Sequence, residues 1–584
     1  MALPENAELV VRKYALQNAV QHGGKADPKN IVGKVLGAEP ALRPFAKELT
    51  SLALVVVPKI NELAPEAQRK ELESLDPKLL EKKVKEERTG LKRLPDDDKV
   101  SQIIMRFAPN PNGPATLGHS RGMVLHAEYE RMYREMGKPF KMILRYDDTD
   151  PATKKPILEA YDALKEDFEW LGGHADQVLF ASDRIGTYYE YAEKLIQLGK
   201  AYVCECEQEA FKRLKDAGEA CPHRARSPQE NADAWKRMLD PQGYAPGQAV
   251  LRVATDVKHP DPALREWVAF RIVLEPHPRV GTKHRVWPLL DFESAIEDRL
   301  QGVTHIVRGK DLIDSERKQT FLYQYFGWDY PKTMHWGRVK VLEFGKISKS
   351  LLGEGIASGK FSGWDDVRLP TLAAMRRRGI RAEALRNFWL ALGISERDVE
   401  ASLANVEAEN RKIVEKEANR YFWVQDPHKV EISGLPKGGV EGHPPRHPDH
   451  PERGTRKVRI GDANGIGRVL LDAADAAAVR KDEVFRLKDW GNVRLTGPGR
   501  AEYAGNDLAI LKGGARIVQW VGADPGATVP VRILMPDEAG TVRQGVAEND
   551  CVRDFGKVVQ FERVGFVRLE RQERGTIVAP FAHD

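Results

Sequence analysis

The sequence predicts a multidomain α/β protein. In order it should carry a helical N-terminal appendage, a parallel-sheet core split by an insertion, a helical connector and C-terminal β-barrels. Three observations predict this. A chain of 584 residues is too long for one hydrophobic core. At Val100 the apolar pattern changes from helical spacing to a strand–loop–helix–strand order. From about residue 431 onward, short β runs alternate with Gly/Pro turns.

The appendage, 1–99, is read from apolar positions recurring at helical spacing in "LVVRKYALQNAV" and "FAKELTSLALVVVPKI". In "PEAQRKELESL" a proline stands where helices begin. The charged run "EKKVKEERTGLKRLPDDDKV" closes this region and reads as a domain boundary. The first half of the core, 100–181, opens with the buried-type strand "VSQIIMRFAPN" and a Pro/Gly loop. The helix "SRGMVLHAEYERMYREMG" and a second strand, "KPFKMILRYDDTD", follow. Residues 182–288 read as an insertion of amphipathic helices, clustered cysteines and proline-rich turns. The sheet resumes in 289–340 through "VTHIVRG", and 341–430 is a loop followed by helices, including "TLAAMRRRGIRAEALRNFWLALGI". Residues 431–584 supply "VFRLKDW", "NVRLTG", "TVPVRILM" and similar short strands, which suggest one or two barrels.

Composition narrows the class of function. Hydrophobic content is 41% and charged content 30%, which describes a folded, water-soluble chain. Ninety-one Lys and Arg against 86 Asp and Glu leave +5, too little for a polybasic tail but compatible with a locally positive face. No apolar run approaches membrane-spanning length. Four cysteines exclude a disulfide framework and, with an N-terminus unlike a secretory leader, predict a reducing cytoplasm.

Two loops carry the chemistry of the core. In "NPNGPATLGHSRG", Gly113 and Gly118 let backbone approach a ligand, and a helix starting near Ser120 points N–H groups at an anion. His119 would donate to a phosphate oxygen; alone, the stretch reads equally well as a strand-to-helix turn. In "FGKISKS", Lys346 and Lys349 flank a serine in a glycine-bounded loop suited to a triphosphate, although lysines in loops are usually only solvated.

Taken together, the two loops resemble the paired signatures of class I aminoacyl-tRNA synthetases. "RFAPNPNGPATLGH" is similar to the HIGH-type motif of the glutamyl/glutaminyl subgroup and "KISKS" to its KMSKS loop. "LRYDDTDP", "LQGVTHIVRGKD" and "WDDVRLPTLAAMRRRG" resemble three further segments of that subgroup, in the same order. "RLKDWGNVRL" and "VVQFERVGFVRLE" resemble barrel segments of its archaeal and eukaryotic branch, so the likeness runs from Val100 to the C-terminus.

The resemblance implies a split Rossmann-like catalytic domain, with 182–288 embracing the tRNA acceptor stem and the barrels reading the anticodon. It implies ATP as substrate with Mg²⁺, L-glutamate and tRNA(Glu) as partners, and a monomer; tRNA(Gln) as a second acceptor is left open. The ATP side would be formed by Pro109, Gly113, Gly118, His119, Ser348 and Lys349, with His119, Thr116, Lys349 and Lys346 acting on developing phosphate charge. The glutamate side would be formed by Arg106, Asp147, Arg308 and Leu290. Arg308 stands at the position of the glutamate-selective arginine, where the glutaminyl branch has an uncharged residue. Arg106 would be the second cationic contact, and Asp147 would hold the ammonium group. Two positions depart from the pattern. Thr116 replaces a histidine and would still donate to phosphate, and Leu290 replaces a pocket tyrosine. Glutamine–tRNA ligation and a non-catalytic tRNA-binding role are the competing readings. The appendage is compatible with binding tRNA or a protein partner.

Outside these motifs, "YVCECEQEAFKRLKDAGEACPHR" places Cys204, Cys206, Cys221 and His223 as C-x-C…C-x-H, four soft ligands of the kind tetrahedral Zn²⁺ takes. Cys551 reads as a small buried hydrophobe, and Arg376, Arg377 and Arg378 as either a solvated face or a phosphate contact.

Overall fold

A computed structural model of the chain describes residues 3–4, 6–80, 91–344 and 349–584. It divides into two compact units, Met1–Arg88 and Thr89–Asp584.

The first unit is helical: α1 (Ala7–Gln21), α2 (Pro28–Ala38), α3 (Ala46–Asn61) and α4 (Pro65–Leu75). Leu16, Ile31, Leu49, Val57, Ile60 and Leu72 form its core. Pro65 begins α4, where a missing N–H costs nothing. The buried Gln68 amide ties the helices together by donating to the Gly24, Ile60 and Leu63 carbonyls. Residues 91–99, read from sequence with this appendage, pack on the second unit instead. The Leu94 N–H donates to the Tyr133 hydroxyl, and that hydroxyl donates to the Asp97 carboxylate. The apolar periodicity that marks the appendage stops before these contacts begin.

In the second unit β1 (Ile103–Phe107) is followed by α5 (Leu117–Glu135) and β2 (Phe140–Tyr146), then α6 (Leu158–Trp170) and β3 (Gln177–Phe180). The three strands pair in parallel, in the order β1–β2–β3. Ile103 and Met105 point into the core on one face of β1, and α5 covers that face with Met123 and Val124.

The chain then leaves the sheet through α7 (Ile185–Gln197), β4 (Ala201–Cys204), α8 (Gln208–Ala217), α9 (Pro228–Leu239), β5 (Val250–Val253), β6 (Val268–Ile272) and β7 (Val286–Pro288). β4 to β7 form an antiparallel sheet of their own. After α10 (Leu290–Leu300) the parallel arrangement resumes with β8 (His305–Gly309), α11 (Ile313–Phe326) and β9 (Lys332–Trp336). Thr304 fastens β8 to β1: its N–H donates to the Ile104 carbonyl, and its hydroxyl oxygen accepts from the Ile104 N–H, both at 2.9 Å. The strand order therefore reverses between β1 and β8, the crevice where open parallel sheets bind ligands.

β10 (Val339–Val341), α12 (Lys349–Ala357), α13 (Leu372–Arg378), α14 (Ala382–Leu392), β11 (Val399–Ala401) and α15 (Leu403–Glu417) form the connector. A seven-stranded and an eight-stranded sheet follow, built from the short runs between Arg420 and His583. Their cores centre on Phe485, Trp490 and Trp520 in one and Trp423, Phe561 and Ile577 in the other. The arginine triplet joins connector to barrel. Arg377 pairs with Glu570, and Arg378 pairs with Glu407 and donates to the Phe581 carbonyl, while Arg376 pairs with Asp167. All three guanidiniums are committed inside the protein, so the phosphate contact suggested by their spacing gives way to ion pairing. Among the described residues no helix is long and apolar enough to cross a membrane.

Candidate active site

The loop after β1 is pinned from both sides. The Pro109 carbonyl accepts from the Asp147 N–H, and the Asn110 side chain donates to the Asp147 carbonyl. Gly113 has φ +142°, a conformation that side chains oppose. At the start of α5 the Leu117 N–H donates to the Pro370 carbonyl, and the Leu372 N–H donates to the Ala115 carbonyl, each at 2.9 Å. Thr116 and Thr371 thereby form a two-residue antiparallel bridge. The His119 loop is thus stitched to the segment that follows "KISKS".

Thr116 is the residue preceding α5, and it engages His119 directly. The Thr116 N–H donates to the imidazole Nδ1 at 3.3 Å, and the Thr116 hydroxyl lies 2.8 Å from the same nitrogen. With Nδ1 occupied as an acceptor, the ring proton is assigned to Nε2, the form that donates to an anion. The hydroxyl expected from sequence to reach a phosphate faces the imidazole instead, because a helix-capping position turns its side chain back over the first turn. Gly118 and His119 are exposed, and a Cβ at Gly118 would meet nothing closer than 3.9 Å, leaving room for a ligand at the helix N-terminus.

A cavity of about 420 Å³ opens over this loop and the C-terminal ends of β1 and β8. It is lined by Arg106, Pro109, Thr116, Gly118, His119 and Arg308, and also by Lys154, Asp311, Trp336 and His126. A neighbouring cavity of about 460 Å³ is lined by Asp147 and Leu290 together with Asp150, Arg271 and Asp291. Asn110, Lys154 and Leu312 border both. Sequence-selected residues from 100–181 and 289–340 therefore meet in one crevice. Lys154 and Trp336 were missed: the lysine follows the acidic strand end "DDTDPATKK", the one local hint, and the tryptophan arrives through β9 from far along the chain. Lys346 and Ser348 lie outside the described residues; Lys349 begins α12.

Beneath the cavity lies a closed set of buried charges. Arg106 pairs with Asp298 at 3.1 Å. Arg145 reaches Asp298 and Asp147, each at 2.7 Å, with Glu293 at 3.7 Å. Two guanidiniums thus face three carboxyls. Burial drives the Glu293 carboxyl well above the usual carboxylate range, with Asp147 adding to the shift, so Glu293 keeps its proton and the charges balance. Burial also acts on Asp298, but Arg106 and Arg145 outweigh it and hold Asp298 below the usual range. Burial raises the Asp147 carboxyl against the pull of Arg145. The adjacent Asp148 is structural, accepting from the Ser182 N–H and the Tyr161 hydroxyl.

Arg308 is 4% exposed. It donates to Gln319 and to the Tyr330 hydroxyl, and Glu316 stands 3.5 Å away. The Glu316 carboxylate lies 3.0 Å from the His335 Nε2. Despite its burial, His335 and Arg308 hold it below the usual carboxylate range. Burial holds the His126 imidazole near pKa 4, so it is neutral.

A second cluster lies apart from this crevice. Cys204 ends β4, Cys206 follows it, and Cys221 and His223 occupy the single turn after α8. Their ligating atoms all lie within 4.8 Å of one another. Cys204 Sγ and Cys221 Sγ are 3.8 Å apart, and His223 Nδ1 is 3.4 Å from Cys206 Sγ and 3.9 Å from Cys221 Sγ. Two sulfurs at about 2.3 Å from one tetrahedral Zn²⁺ stand roughly 3.8 Å apart, so the donor set fits that ion. Cys551 is fully buried and its thiol is pushed up to about 12, mainly by burial, which makes it an inert packing residue.

A parallel sheet with its crevice between β1 and β8, a helix N-terminus facing that crevice and flanking cations form an architecture of the class I synthetase kind. The family model "tRNA synthetases class I (E and Q), catalytic domain" matches residues 102–416. The model "tRNA synthetases class I (E and Q), anti-codon binding domain" matches 418–507. The chain is 47% identical to a glutamate–tRNA ligase of Methanocella arvoryzae over 99% of both chains. It is 48% identical to one of Methanosarcina mazei, again over 99% of both. It is 46% identical to one of Archaeoglobus fulgidus, over 98% of this chain and 99% of that one. The chain belongs to the class I synthetases for Glu and Gln, in the glutamate–tRNA ligase family of archaeal type.

Proposed function

We propose that the chain ligates L-glutamate to tRNA(Glu) through a glutamyl-adenylate. The observation that carries this reading is the single crevice that gathers Arg106, His119 and Arg308 at a helix N-terminus. An oxygen of the glutamate α-carboxylate attacks the α-phosphorus of ATP, the bond to the β-phosphate breaks, and pyrophosphate leaves. A ribose hydroxyl of the tRNA terminus then attacks the acyl carbon, forming the ester as AMP departs. Neither step needs a protein nucleophile; both need fixed position and neutralised charge. The His119 Nε2–H and the backbone N–H groups at Gly113 and Gly118 hold phosphate oxygens, with Pro109 shaping the loop, and the resemblance assigns Ser348, Lys346 and Lys349 to the same phosphates. Mg²⁺, when bound with ATP, supplies further neutralisation of phosphate charge.

Arg308 faces a carboxylate group of glutamate, Arg106 lines the same crevice with its charge already shared with Asp298, and Asp147 takes the ammonium group at the border with the cavity that Leu290 lines. Thr116 acts through His119 by fixing its tautomer. Cys204, Cys206, Cys221 and His223 would hold a structural Zn²⁺ that ties the end of β4 to the turn after α8. Residues 182–288 embrace the acceptor stem, 431–584 read the anticodon, and the helical appendage binds RNA or a protein partner. The enzyme works as a cytoplasmic monomer.

Pyrophosphate exchange with tRNA present tests the reading. Glutamate should support exchange and glutamine should not, and Arg308→Cys should lower kcat/KM for glutamate by at least about 100-fold, the cost of leaving a carboxylate without its guanidinium. Preference for glutamine, or glutamate use untouched in R308C, overturns it.

A further inference from the structure

Arg308 rests on different partners from Arg106 and Arg145, the two arginines beneath the same crevice. Arg106 and Arg145 are held by carboxylates at 2.7–3.1 Å. The shortest contacts of Arg308 are to neutral oxygens. Nη2 donates to the Tyr330 hydroxyl at 2.8 Å, and Nη1 donates to Gln319 Oε1 at 3.3 Å. Tyr330 in turn donates to the same Gln319 oxygen at 2.6 Å, closing a triangle of three hydrogen bonds. Gln319 is 1% exposed, so its amide is fixed by this triangle and not by solvent. The nearest carboxylate, Glu316, is farther from Arg308, at 3.5 Å, and is drawn toward His335 at 3.0 Å. Arg308 Nε is buried with no hydrogen-bond partner among the described residues, in the wall of the crevice.

A buried guanidinium that must receive a carboxylate has two conflicting needs. It has to be held in one orientation, yet a carboxylate holding it would neutralise the charge that attracts the substrate. Neutral acceptors meet both needs. We propose that Gln319 and Tyr330 are positioning residues that orient the Arg308 guanidinium without discharging it, and so set the preference for an anionic over an amide side chain. The proposal rests on the reading of Arg308 given above.

Two substitutions in the full-length enzyme test it, with Arg308→Cys in parallel. Gln319→Glu keeps size and acceptor geometry but places a negative charge on the guanidinium. It should raise the glutamate KM at least about tenfold and narrow the kcat/KM ratio of glutamate over glutamine by a similar factor. Tyr330→Phe removes one corner of the triangle and should raise the glutamate KM about three- to tenfold with kcat nearly unchanged. In both variants the ATP KM and melting temperature should stay at parent values. If R308C loses glutamate use while both variants keep a glutamate KM within about twofold of parent, the positioning role is overturned and Arg308 stands. If ATP KM and melting temperature move together with glutamate KM, the two residues are merely structural and the proposal is again overturned. If R308C itself is silent, it is the reading of Arg308 that fails.

Discussion

Two clusters of polar side chains, one buried and one partly buried, stand in the second unit, and they differ in how their groups are satisfied. The charges under the crevice satisfy one another: Arg106, Arg145, Asp147 and Asp298 interlock at 2.7–3.1 Å, and Glu293 holds a proton that balances them. The cluster of Cys204, Cys206, Cys221 and His223 has only long thiol and imidazole contacts of 3.4–3.9 Å. Such contacts are weak, and the same spacing is compatible with one soft cation held among the four. The first cluster balances its charges within the protein, although neither Glu293 oxygen has a hydrogen-bond partner among the described residues. The second would be completed by a metal.

The contrast can be broken most sharply at Asp298. Asp298→Asn leaves two guanidiniums facing too little negative charge, and removing one partner of a buried pair costs about 3–5 kcal/mol. Urea unfolding of the variant should show that loss in the catalytic unit; a loss below about 1 kcal/mol would mean that solvent already screens the pair. A smaller effect is expected at Cys204→Ser. Zinc affinity should fall at least about 10–100-fold, the range known for disturbing even an outer partner of a metal ligand, with a lowered melting temperature. Pyrophosphate exchange should stay near parent, since the cluster is outside the crevice. Parent protein that carries substoichiometric zinc after dialysis would remove the metal from the account.

At low pH the smallest effect belongs to Glu293→Gln, which replaces a neutral carboxyl by a neutral amide and should change stability by less than about 1.5 kcal/mol below about pH 4.3, where the unfolded carboxyl is protonated too. Its pH dependence has a fixed sign. The folded carboxyl is raised, whereas the unfolded one ionises near pH 4.3, so the parent loses stability as pH rises above that value. The glutamine variant does not titrate there. Its stability relative to the parent should therefore grow with pH above about 4.3 and be flat below. A variant as damaged as Asp298→Asn would show that Glu293 is ionised and paired.

Local pattern revealed much of this molecule. The β1–loop–α5–β2 order, His119 and Thr116 at the head of α5, and the cluster of three cysteines and a histidine within one short stretch are all properties of neighbours in sequence, and spacing reports neighbours. The partners that hold those residues are not neighbours. Asp298 meets Arg106 across 192 positions. Trp336 reaches the crevice only because β9 lies beside β8. Gln319 looks like any polar residue on a helix until α11 turns it toward Arg308. The arginine triplet misled for the same reason: three adjacent cations suggest an anion outside, and the structure supplies Asp167, Glu570 and Glu407 from inside.

The pairing of Thr116 with Thr371 has a consequence for how this site can vary. Its two hydrogen bonds run between main-chain groups of Ala115, Leu117, Pro370 and Leu372 and involve no side chain at 116. They are blind to residue identity, except that proline at 117 or 372 would delete a donor. Position 116 is therefore free to trade histidine for threonine while the glycine–histidine loop stays where it is, and at the imidazole the trade adds a hydroxyl contact to an Nδ1 that the main-chain N–H already reaches.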